Sequence, residues 1–200
     1  VVLLLIDESG SMSGIMPHVR HATWILSHAL GNVNVRLMVY GFKDKESRSN
    51  QSYCELKEYI STVTDEETDT FSDSALASVN EMSADGGTIL HMAMDTSLRI
   101  AMEEIEPDDH LFMLVLSDGE DSSTIMGDDG WMACKTVVNN MPSNTSVMCA
   151  YIGQHINNEH INIFGQDNVI LVQDPASLAF KFVRIMGKKL KELKDMGVIS

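Results

Sequence analysis

Asp7, Ser9 and Ser11 stand in the string IDESGSM, directly after the apolar run VVLLLI. A carboxylate and two hydroxyls at alternate positions gather hard oxygen donors, which suit Mg²⁺ or Mn²⁺ and not a soft metal. Two later strings carry donors of the same kind: Thr88 in GGTILHMAM and Asp118 in LVLSDGED. Each string has a plainer reading. Asp-x-Ser ahead of a helix caps free backbone N–H groups, Thr88 can cap a helix from Ile89, and Asp118-Gly119 can be a simple turn. Taken together, the three strings favour a metal.

Nucleophilic chemistry fits these residues poorly. Phosphoryl transfer by an aspartate at a first strand end needs a second Asp two residues on, and here that residue is Ser9. Neither Ser9 nor Ser11 sits in a Gly-x-Ser-x-Gly elbow, and no phosphate-cradling glycine loop is present. Metal-assisted hydrolysis remains as a minor alternative, since a bound cation is a Lewis acid, but the strings offer no general base. We therefore read a binding module, not an enzyme. His18, His21 and His28 read as exposed helix residues, and His91 as a helix residue near the metal donors. The 14 methionines read as core filler.

The elements that must position these donors alternate between strand and helix signals. Continuous apolar runs at Val1–Ile6 and His110–Leu116 read as strands buried on both faces. Asn34–Phe42, Ser146–Ile152 and Asn168–Val172 add further strands, and Tyr53–Ile60 reads as an antiparallel edge. Helical patterns cover Ser13–Leu30, Asp73–Met82, Ile89–Ile105, Gly130–Met141 and Ala176–Met196, with Pro17 tolerated in a first turn. Alternation of this kind implies a doubly wound α/β fold. It has a mainly parallel, Rossmann-like central sheet, one antiparallel edge strand and helices on both faces. Ligands of such sheets bind beyond the carboxyl ends of strands, where strand order reverses. The loops after Ile6 and after Leu116 are the natural pair there.

Length and charge narrow the function further. With 200 residues the chain reads as one domain with a real core, and it begins without Met inside an apparent strand, as a segment of a longer polypeptide would. Its formal charge is −15. Residues 1–180 carry 27 acidic and 8 basic side chains, whereas residues 181–200 carry 6 basic and 2 acidic ones. An acidic body of this kind argues against nucleic acid, and no apolar run is long enough to span a membrane. Lys188, Lys189, Lys191 and Lys194 read as the solvated face of the last helix. Three cysteines, an odd number without metal-ligand spacing, lean towards a reducing, intracellular setting.

The set Asp7-x-Ser9-x-Ser11, Thr88 and Asp118, carried by IDESGSM, GGTILHMAM and LVLSDGED, resembles the metal-ion-dependent adhesion site of von Willebrand factor type A domains. The resemblance runs over the whole chain. It implies that Ser9 and Ser11 ligate Mg²⁺ or Mn²⁺ directly, that Thr88 does so directly or through water, and that Asp7 and Asp118 act mainly through ordered waters. It further implies a protein partner whose Asp or Glu completes the metal shell, and a final helix, Ala176–Met196, that moves on switching. Glu8, Glu120 and Asp121, with Asp128 and Asp129, are expected to form an acidic rim that selects a carboxylate flanked by basic residues. The alternative is a domain that recruits substrates to an ATP-driven chelatase or remodelling complex. No direct membrane contact is expected.

Overall fold

The computed structural model describes residues 1–31, 35–46, 52–62, 73–119, 130–156, 158–195 and 197. Its centre is set by two strands that have no solvated face. Val2–Asp7 (β1) and Leu111–Ser117 (β4) are buried at every position, as continuous apolar sequence requires when both sheet faces are covered. They pair in parallel, with Leu4 opposite Leu114 and Ile6 opposite Leu116. Leu37–Glu46 (β2) flanks β1 in parallel, and Ser52–Ser61 (β3) closes that side as an antiparallel edge. Thr145–Ile152 (β5) and Val169–Val172 (β6) extend the other side in parallel. The order is β3-β2-β1-β4-β5-β6.

Side-chain alternation in β1 divides the core in two. Val2, Leu4 and Ile6 face Met16–Gly31 (α1), Asp73–Asn80 (α2) and Leu178–Asp195 (α6), meeting Val19, Leu26, Val79 and Phe182. Leu3 and Leu5 face the opposite layer. It consists of Leu90–Glu104 (α3), Gly130–Asn139 (α4) and Asn158–Phe164 (α5), which contribute Leu90, Met94, Cys134 and Phe164. The expected doubly wound sheet, with one antiparallel edge and helices on both faces, is present.

Several boundaries differ from the sequence reading. Gly10–Gly14 forms a short 3-10 turn, so α1 begins at Met16 and not at Ser13; Pro17 still falls in its first turn. β2 runs on to Glu46, carried by its antiparallel pairing with β3. Helix α5 was not expected, since NEHINIF is rich in Asn and Ile, which are weak helix formers. Its burial of His160, Ile163 and Phe164 supplies what local propensity does not. Pro175–Ser177 is a 3-10 turn whose Ala176 N–H donates to Asp174 Oδ1 at 3.0 Å, which delays α6 to Leu178.

Candidate metal centre

The chain leaves β1 through α1 to reach β2 on one side, and β4 lies on the other side of β1. Strand order therefore reverses between β1 and β4, and the crevice at their carboxyl ends is the ligand position of this architecture. Asp7 is the last residue of β1, and Asp118 follows the last residue of β4. Asp7 Oδ1 accepts the Ser9 backbone N–H at 2.8 Å, which folds the chain back so that the next hydroxyls return to the crevice. Ser9 Oγ and Ser11 Oγ lie 3.0 Å apart, and Ser11 Oγ donates to Asp118 Oδ1 at 2.8 Å. Thr88 Oγ1 lies 3.5 Å from Asp7 Oδ2 and donates to it. All five donors singled out from the sequence are thus linked into one cluster.

Ser117 belongs to the same cluster and was missed. Its hydroxyl donates to Asp7 Oδ2 at 2.7 Å from a fully buried position. The available signal was a single polar residue ending the otherwise apolar strand LFMLVLS.

Thr88 is brought in by a loop pinned at three points. Gly10 N–H donates to Gly86 O at 3.0 Å, Asp85 N–H to Glu8 O at 2.8 Å, and Asp44 N–H to Gly87 O at 2.8 Å. Gly86 has φ of 86°, a left-handed conformation, and a Cβ there would stand 2.5 Å from Asp44 O. Glycine meets both demands at that position.

Glu8 does not form an exposed rim. It is 2% exposed, and its Oε1 accepts from Tyr59 Oη at 2.6 Å and from the Ser83 N–H at 3.2 Å. The carboxylate fits because residue 41 is glycine; a Cβ there would lie 2.5 Å from Glu8 Cδ. Its role is to tie β3 and the Thr88 loop to the end of β1. Glu120, Asp121, Asp128 and Asp129 lie outside the described residues. His18 and His21 are exposed on α1, as expected, whereas His28 is half-buried against Trp24, and His91 lies in the first turn of α3.

Burial pushes the Asp7 carboxyl above its ordinary range; hydrogen bonds from Ser117 and Ser9 oppose this, and the negative charge of Asp118 adds to it. Burial also raises Asp118, against the hydrogen bond from Ser11. Two carboxylates and four hydroxyls in one sheltered crevice form an all-oxygen donor set with a negative charge to neutralise. That chemistry fits a small, hard divalent cation.

No protein-family model and no curated protein matches this chain. Solved structures do. The chain is 22% identical to a von Willebrand factor type A protein from Catenulispora acidiphila, with a TM-score of 0.65 over 92% of this chain and 41% of that one. Proximal thread matrix protein 1 of the mussel byssus, solved with a zinc-occupied metal-ion-dependent adhesion site motif, is 14% identical, with a TM-score of 0.63 over 92% of this chain and 46% of that one. Manganese-loaded TRAP protein of Plasmodium vivax is 18% identical, with a TM-score of 0.61 over 91% and 72%. The fold is that of von Willebrand factor type A domains. The chain spans less than half the length of the first two of these proteins.

Proposed function

We propose that this chain is a divalent-cation-dependent protein-recognition module, in which Mg²⁺ or Mn²⁺ at the β1–β4 crevice is completed by a partner's Asp or Glu. The reading is carried by one observation. Ser11 and Asp118 are 107 residues apart in sequence, yet share a 2.8 Å hydrogen bond in an oxygen cluster that also contains Ser9. Ser9, Ser11 and Thr88 would hold the ion, with Asp7 and Asp118 balancing its charge and orienting the hydroxyls. A cation held chiefly by neutral hydroxyls keeps an appetite for one more anionic ligand, and Mg²⁺ in particular retains exchangeable waters. The zinc in the motif of proximal thread matrix protein 1 and the manganese in TRAP protein support a metal here.

A binding role, and not catalysis, agrees with how the carboxylates are engaged. Asp7 accepts from Ser9, Ser117 and Thr88, and Asp118 accepts from Ser11, so both serve to orient donors. Glu120 and Asp121 follow Asp118 closely in sequence and add negative charge to that stretch. Such charge favours a partner carboxylate flanked by Lys or Arg, which a steep salt dependence of partner binding would report. The odd cysteine count supports an intracellular setting.

Calorimetric titration of Mg²⁺ and Mn²⁺ into EDTA-stripped protein tests the reading. Saturable binding is expected, strengthened by millimolar acetate or glutamate and abolished in Asp7→Ala and in Asp118→Ala. Titrations flat with and without the surrogate carboxylate would refute it.

A further inference from the structure

A cavity among the described residues lies away from the candidate metal centre. It has a volume of about 580 Å³ and is bounded by α6 on one side and by β5 and β6 on the other. Met148, Ile170 and Ile185 supply apolar lining, while Lys181, Arg184, Lys188 and Lys189 project from α6 around it. Met148 and Ile170 come from the first half of their strands. The groove therefore faces the amino-terminal end of the sheet, opposite Asp7 and Asp118.

Its charge is out of character with the molecule. Of 14 basic side chains in a chain of net charge −15, four meet here. Two acids also line the groove, Asp167 and Glu192, which leaves a local excess of two positive charges. Glu192 is shared, at 3.7 Å from both Lys188 and Lys189. Lys181 donates to the Leu171 carbonyl, and Arg184 has no acidic partner among the described residues. Four residues before Arg184, and so on the same side of the helix, Phe180 is 71% exposed. Cations spaced along an apolar trough, with an aromatic side chain at its margin, complement one chemistry: acidic groups set beside apolar ones.

We propose that this groove docks an acidic segment of a partner protein, one whose Asp or Glu side chains meet Arg184 and Lys188 while its Leu-, Ile- or Phe-sized side chains enter over Met148 and Ile170. The segment binds without occupying the crevice, because the groove and the crevice lie at opposite ends of the sheet. Arg184 and Lys188 are the specificity-determining residues, since both are exposed and both line the groove.

A displayed library of random peptides, selected on the protein in EDTA, tests this without involving the metal centre. Acidic peptides with interspersed large apolar residues are expected to be enriched. A synthetic copy of one should lose about tenfold or more in affinity for the double variant Arg184→Glu/Lys188→Glu, and more at low salt than at high salt. Exchanging the acids of that peptide for lysines should restore binding to the variant. Both substitutions are on exposed positions, and an unchanged thermal midpoint verifies that the variant folds. The proposal is overturned if selection yields no acidic motif, or if enriched peptides bind the variant as well as the parent. Binding to phosphatidylserine vesicles that the double variant abolishes, with no peptide enriched, would overturn it in favour of a membrane surface.

Discussion

Ser117 donates to the Asp7 oxygen that Thr88 also approaches, so Ser117→Ala deprives a buried carboxylate of its shorter side-chain hydrogen bond. Losing the stronger of two side-chain hydrogen bonds to a buried carboxylate costs about 1–3 kcal/mol. Urea unfolding in EDTA should show that loss, and the Mg²⁺ titration should show weaker binding as Asp7 loses its orientation. An unchanged urea midpoint would contradict this role. His160 is a second residue whose burial has a measurable consequence. Its ring is fully buried, packed against Tyr151 at 4.4 Å and Trp131 at 5.0 Å between centroids, and neither ring nitrogen has a hydrogen-bond partner among the described residues. Burial lowers its pKa to about 4 from the ordinary 6.5. Between those values the unfolded chain takes up a proton that the folded chain refuses, so stability falls as pH drops from about 6.5 to about 4. The contribution is about 2–3 kcal/mol. Chemical denaturation across that window should show it as the difference in slope between the parent and His160→Phe, which keeps the ring but cannot protonate. Parallel curves for the two proteins would remove His160 from the account.

The segment between α2 and α3 is tied to its neighbours through backbone bonds with Gly10, Glu8 and Asp44 and through the side chains of Arg20 and Lys43. Gly86→Ala would force a Cβ against the Asp44 carbonyl at a positive φ, with an expected cost of about 1–3 kcal/mol. Because Thr88 is carried by that segment, thermal stability and Mg²⁺ affinity should fall together; a lowered midpoint with unaltered affinity would show that the loop does not position Thr88. The oxygen cluster of the candidate metal centre was legible in the sequence because its donors sit in short strings at strand ends, where order along the chain predicts position in space. The two inner strands were legible for a related reason: a run such as VLLLID permits little except burial on both faces. What sequence did not disclose depends on distant complements. Glu8 looked like a rim charge because its neighbours in sequence are site residues. Its burial requires Tyr59, 51 residues later, and the space left by Gly41. Helix α5 likewise draws on contacts with other elements and not on its own propensity.

Charge is distributed unevenly over the whole molecule, with six of 14 basic side chains in the last 20 residues and an acidic remainder. The exposed ion pairs Lys57–Glu81 and Arg99–Glu103 contribute little against the long-range repulsion of such a body. Screening should relieve that repulsion. Raising ionic strength from about 0.01 M to about 0.15 M shortens the Debye length from about 30 Å to about 8 Å, and with EDTA present the thermal midpoint should rise by about 2–4 °C. A midpoint that falls with salt would mean that attractive pairs dominate. The strand order carries a different consequence, for synthesis. As the chain emerges, β1 can pair with β2 early, but its other edge waits for β4, which begins at Leu111. Through that interval an apolar strand offers an open row of backbone donors and acceptors, the arrangement most prone to self-pairing between nascent chains. Yield in a cell should therefore depend on translation speed through residues 47–110 and on chaperones that bind extended apolar segments.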